Sequence, residues 1–139
     1  MYIEAGILIN ASLLGVMTSF LVVTSPTVFK TLDAANSKNF LRFIFPRLFN
    51  FCFLISTLMF LFFALAEFSF GMVVGIGIAI SFLINTYILV PRINKMRDLT
   101  LTGHVESEKQ FKKLHFASVL LYLSSMVFIV SIFIVYYSR

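Results

Sequence analysis

The sequence predicts an all-α fold: an integral-membrane four-helix bundle with both termini extracytoplasmic and two basic loops in the cytoplasm. Three observations predict it. First, 60% of the 139 residues are hydrophobic and only 12% are charged, against ~25% charged in soluble domains. So short a chain cannot bury that much apolar surface within itself, so its solvent is lipid. Second, four apolar stretches, at about 5–23, 44–66, 68–90 and 116–137, match the ~20 residues a helix needs to cross ~30 Å of hydrocarbon. None shows the period-2 alternation of a barrel strand. Third, the 11 lysines and arginines are distributed unevenly. Lys30, Lys38, Arg42 and Arg47 fall between the first two stretches, and Arg92, Lys95, Arg97, Lys109, Lys112 and Lys113 between the last two. The other side has Arg139, Glu4 and Glu67. Cytoplasmic loops are enriched in basic residues, so both long loops are expected inside, in what we expect to be a bacterial cytoplasmic (inner) membrane.

The first span has no basic residues before its apolar run, and "SPT" after it is a poor cleavage site, so it is expected to stay in the mature protein. Tyr2, Tyr136 and Tyr137 suit an aromatic belt at the outer interface. In the first loop, Phe40, Leu41, Phe43 and Ile44 are expected to lie along the membrane surface, with Lys38 and Arg42 turned to water and headgroups. Asn36 or Ser37 is the expected helix cap. Pro46 stands where the second span enters the bilayer, so a kink or break is expected at Phe45–Pro46.

The third span carries Gly71, Gly75 and Ala79 four residues apart, a ladder that lets a neighbouring helix approach closely. Gly103 is the expected end of this helix. Ser107 and Gln110 read as a capping box, which starts the fourth helix near Glu108 and gives it a range of about 108–137. Glu108 and Lys112 then pair at i, i+4. On that helix His115, Ser118, Tyr122 and Ser125 share one stripe. Polar side chains in lipid usually turn inward and bond across helices. Asn10, Asn50, Asn85, Ser118 and Tyr122 are therefore interhelical links, or they line a ligand site or narrow polar path.

Catalytic patterns are missing. No carboxylate lies within a span, which argues against carriers built on a buried acid and against paired-carboxylate chemistry. His115 lacks an acid partner of the kind a hydrolytic triad requires. His104 and His115 are badly placed for haem ligation. Cys52 is the only cysteine, so it forms no disulfide within the chain and is expected to pack. Met17, Met59, Met72 and Met126 lie in the spans without Met-x-x-Met clustering, so a soft-metal site has little support. The net charge of +5 orients spans and does not suggest a nucleic-acid partner. No enzyme activity, metal or cofactor is expected.

Four segments, "SPTVFKTL", "FIFPRLFNFCF", "INTYILVPRINKMRD" and "FKKLHFASVLLYLSS", taken in order, resemble a four-helix membrane family typified by transmembrane protein 205, with many bacterial members of unknown function. The similarity covers nearly the whole chain. Its motif positions fall on Pro26, Phe29, Phe45, Pro46, Asn85, Pro91, His115 and Ser118. Family members often carry Asn near the position of Tyr122. The resemblance implies an architecture, with associations to platinum-drug resistance and secretory trafficking, and no enzyme activity or fixed cofactor.

Topology and motif positions together predict a cluster at the cytoplasmic face, where Pro26, Phe29, Phe45, Pro46, Asn85, Pro91, His115 and Ser118 meet with Arg47, Arg92 and Lys112 nearby. As a pocket, the cluster would take an anionic group such as a lipid headgroup. As structure, its prolines would set helix entry angles and His115 would bond a freed carbonyl. The function expected is that of a non-enzymatic accessory subunit or oligomeric assembly protein. Its partners would be membrane lipids and either other membrane subunits or copies of itself. The alternative is a transporter or binder of a small solute or soft metal ion (copper- or platinum-like). A haem- or quinone-linked redox role is more distant.

Overall fold

A computed structural model describes residues 1–138. Arg139, the basic residue expected on the outer side, lies outside them. Four long helices follow one another: α1, Tyr2–Thr31; α2, Ala34–Leu65; α3, Ser69–Leu101; and α4, Val105–Tyr137. All four are long and apolar enough to cross a membrane. α2 packs against α1 and α3, and α4 packs against the same two, which closes an antiparallel bundle with α2 and α4 diagonally opposed.

The helices have 30 to 33 residues, or ~45–50 Å at ~1.5 Å per residue, well beyond the ~30 Å hydrocarbon layer. The expected long loops are therefore mostly helix, and each connection is a short turn. α2 begins at Ala34, capped by Asp33, whose Oδ1 accepts the Asn36 N–H at 2.8 Å. This replaces the expected cap at Asn36 or Ser37. The Asn36 donors hold the Asp33 carboxyl below its ordinary value. With the helix formed this early, Phe40 and Phe43 stay exposed while Leu41 is buried in the bundle, so no separate surface helix exists.

Both remaining turns are Schellman motifs. After α2, the Phe68 N–H reaches the Phe63 carbonyl at 2.9 Å and the Glu67 N–H reaches that of Ala64 at 3.1 Å. Phe63 and Phe68 stack edge-on at 5.2 Å between centroids. Glu67 adopts φ +53°, a left-handed conformation that glycine usually fills. After α3, the His104 and Gly103 N–H groups reach Leu99 and Thr100, with Gly103 at φ +92°, which agrees with the expected helix end. α4 starts at Val105, three residues before the expected Glu108. Ser107 lies inside it, donating to the His104 carbonyl and bonding Thr100 Oγ1 at 3.1 Å. Glu108 and Lys112 pair at 2.7 Å, as their spacing predicts.

The prolines do not end helices. Pro26 and Pro91 each stand two residues beyond a five-residue π-helical turn, Phe20–Thr24 and Asn85–Leu89. A proline ring clashes with the carbonyl four residues back and has no N–H to give it. Those carbonyls belong to Val22 and Tyr87, within the two π turns, where the wider ladder moves them aside. Each helix can therefore continue past its proline. Pro46 is also passed by a continuous α2, so the expected break at Phe45–Pro46 does not occur. The carbonyl left without a backbone donor by Pro46 is that of Arg42, and beside it Arg47 Nη1 donates to the Phe43 carbonyl at 3.3 Å.

Leu13, Met17, Cys52, Met59, Phe63, Phe82, Ile129 and Ile132 form the core, while Leu8, Leu54, Leu61, Val73, Ile80, Val127 and Ile134 face outward, where lipid would solvate them. Gly71, Gly75 and Ala79 are buried, and the two glycines press on α2: a Cβ on Gly75 would lie 3.3 Å from Phe60 Cα, and one on Gly71 would lie 2.6 Å from the Phe63 ring. Gly6, which the sequence did not single out, meets the same ring from α1, where a Cβ would come within 2.5 Å. Phe63 thus fills space that two glycines leave open.

Candidate functional site

The polar residues of the stripe on α4 form the first layer of the site. Ser118, Tyr122 and Ser125 are buried. Ser118 Oγ donates to Asn85 Oδ1 on α3 at 2.5 Å, and the Tyr122 hydroxyl donates to the Met17 carbonyl on α1 at 2.9 Å. About two turns further toward the end that holds both termini, Asn10 Nδ2 donates to the Ile129 carbonyl at 3.0 Å. These bonds lace α4 to α3 and to the N-terminal half of α1. Asn85 Nδ2 and Asn10 Oδ1 are buried with no hydrogen-bond partner among the described residues. Asn50 lies apart from this layer and accepts the Tyr87 hydroxyl at 3.4 Å on an exposed face.

Below Tyr122, toward the basic end, the bundle opens into a cavity of about 450 Å³. All four helices line it, each with one face. α1 gives Phe20, Leu21, Ser25 and Phe29; α2 gives Lys38, Leu41, Arg42, Phe45 and Phe49; α3 gives Val90, Ile93, Asn94 and Arg97; α4 gives Phe111, His115, Ser118, Val119, Tyr122 and Leu123. Within each set spacings of three and four, with one or two adjacent pairs that widen the face, put the residues on one side of the helix.

The cavity has two chemical ends. Its inner end, around Phe49, Tyr122 and Leu123, is apolar and aromatic, with the Phe49 and Tyr122 rings 6.1 Å apart. Its other end, the basic one, carries Lys38, Arg42, Arg97 and His115. Arg42 pairs with Asp98 at 2.5 Å. Neither Lys38 nor Arg97 forms an ion pair among the described residues. The Arg97 guanidinium lies 5.2 Å from the centre of the Phe111 ring, and His115 stacks on the same ring at 5.9 Å, 5° from parallel. His115 is held by this stack and makes no hydrogen bond among the described residues, so the expected bond to a freed carbonyl is not made.

Of the cluster expected at this face, Phe29, Phe45, His115 and Ser118 line the cavity, and Asn85 supports it through Ser118. Pro26, Pro46, Pro91, Arg47, Arg92 and Lys112 do not line it. Arg47 packs over Phe43 at 5.9 Å and Lys112 is taken by Glu108. Lys38, Arg42, Asn94, Arg97 and Phe111 are among the lining residues that sequence reasoning did not assign to the cluster. Their signal was a helical spacing continuous with the spans: Lys38–Arg42–Phe45–Phe49, Val90–Asn94–Arg97 and Phe111–His115.

Among the described residues, no three His, Cys, Asp or Glu side chains come together as a metal site. Met17 and Met59 are fully buried in the core beside Cys52. The cavity offers an apolar wall, hydroxyl and amide groups, and an excess of cationic groups at one end.

No curated protein and no solved structure matches the chain significantly. A family model does match residues 8–102, from α1 through the last turn of α3, which takes in three of the cavity's four walls. That match spans more than half of the molecule, and the protein belongs to the family described as a domain of unknown function, DUF4149.

Proposed function

We propose that this is a non-enzymatic accessory protein of the membrane that holds one anionic amphiphile in the cavity between its helices. The observation that carries this reading is the union, in one cavity, of an apolar aromatic wall with Lys38, Arg42, Arg97 and His115 at one end. Its volume of about 450 Å³ falls within the roughly 300–1,000 Å³ of small-molecule sites. Three fixed cations against the single carboxylate of Asp98 leave that end positive and suited to phosphate or carboxylate. The concentration of lysine and arginine at the same end supports placing it in the cytoplasm with both termini outside. The exposed apolar faces suit lateral packing against lipid or other membrane subunits. The motif order supports kinship with the family of transmembrane protein 205.

Native mass spectrometry after mild detergent extraction tests the proposal. The wild-type protein is expected to retain one anionic lipid or fatty acid, and the double variant Lys38→Gln/Arg97→Gln to lose it by at least about tenfold, since each charge-assisted contact is worth about 1.5–3 kcal/mol. A wild-type protein free of anionic amphiphile, or a double variant that keeps it fully, contradicts the reading.

A further inference from the structure

We infer that the occupant is a phospholipid of the surrounding leaflet and that it enters sideways, between α1 and α4, with its phosphate at the cationic end and one acyl chain laid along α4. The inference rests on the amphiphile reading above and adds the ligand's class and its route.

The shape of the cavity argues for a chain. On α4 its wall runs from Phe111 to Leu123, twelve residues further on, or ~18 Å of helix. Such a slot, charged at one end and apolar at the other, has the proportions and polarity of a headgroup with an acyl chain. A small hydrophilic anion would leave the apolar length unfilled.

The opening argues for the route. α1 is tied to α4 only in its outer half, through Asn10 to Ile129 and Tyr122 to Met17. From Phe20 on, beyond the start of the π turn, α1 packs on α2 and no longer on α4. The Tyr122–Met17 bond thus closes the top of the slot, and the gap between the two helices opens below it. Leu21 and Phe29 on one lip, and Val119 and Leu123 on the other, line the cavity and are also exposed on the outer surface. A gap with apolar lips, set within the apolar part of two spanning helices, faces hydrocarbon. The cations at its lower end lie at the level where anionic headgroups sit. A second acyl chain would remain in the leaflet outside.

Cysteines at the two lips test this. Leu21 and Val119 are exposed, so Leu21→Cys/Val119→Cys leaves the core intact, and Cys52 is fully buried and out of reach of reagent. A bis-maleimide then bridges the gap in delipidated protein before or after it meets vesicles of phosphatidylglycerol in phosphatidylcholine. The readout is phosphatidylglycerol retained after a detergent wash, by native mass spectrometry. Bridging first is expected to cut loading at least tenfold. Bridging afterwards is expected to trap lipid that unbridged protein loses, with the same double-cysteine variant capped by a monofunctional maleimide as the reference for both arms. Unchanged loading after prior bridging overturns the lateral route, and displacement by glycerol 1-phosphate or inorganic phosphate at equal concentration overturns the lipid class. If unbridged protein never takes up phosphatidylglycerol but does hold another anionic amphiphile, the phospholipid assignment alone falls. If it holds none, the broader reading falls as well.

Discussion

Asn85 and Ser118 show how much a single polar contact matters here. Both side chains are buried inside the bundle. Ser118 can turn its hydroxyl to its own helix, as Ser125 does toward the Leu121 carbonyl, whereas Asn85 has no second partner for either end of its amide. The two substitutions should therefore differ. Ser118→Ala leaves the Asn85 carbonyl oxygen unpaired, and Asn85→Ala leaves a serine that can bond locally. A double-mutant cycle on thermal unfolding in detergent is expected to give a coupling of about 0.6–1.7 kcal/mol, with Ser118→Ala the costlier single change. Strictly additive effects would show that the bond contributes nothing. Both residues were legible in the sequence as inward polar groups, because helical periodicity fixes the face. Their pairing was not, since it depends on how far α3 and α4 are shifted along each other.

The helices show what hydropathy can and cannot locate. The apolar runs revealed four spans, and Gly103 and Ser107 marked the extensions of α3 and α4, but nothing in the sequence showed that α1 and α2 also continue well past the hydrocarbon. That continuation depends on the Asp33 cap and on π turns that accommodate Pro26 and Pro91. A proline in sequence reads as an end, and no residue pattern specifies the widened turn that turns it into a bend. The consequence reaches the cavity: the π turn at Phe20–Thr24 adds a residue to one turn of α1 and so rotates Phe29 and the rest of the lower half relative to the upper half. Pro26→Ala removes the steric reason for that turn. Thermal stability is expected to hold or rise slightly, because alanine restores a backbone donor, while lipid retention by native mass spectrometry falls several-fold. Unchanged retention would mean that the turn does not shape the site.

The whole molecule combines tight and open regions. At the end that holds both termini, Gly6 and Gly71 close tightly on Phe63. At the other end, α1 leaves α4 and the cavity forms. The sequence placed His115, Ser118, Phe29 and Phe45 near one another but treated Lys38, Arg42 and Arg97 as topology signals. The same charges that orient a span also line the slot, and only the bundle's geometry distinguishes those that face in from those, such as Arg92, that do not.

The slot as a lipid site can be read directly with a single fluorophore, because the chain contains no tryptophan. Leu123→Trp places one at the inner end of the cavity, at a position already exposed on one side. In bilayers holding a small, equal fraction of chain-brominated phosphatidylglycerol or chain-brominated phosphatidylcholine, the anionic lipid is expected to quench this tryptophan several-fold more, and the excess should vanish when Lys38→Gln/Arg97→Gln is added. Equal quenching by the two lipids would contradict the account.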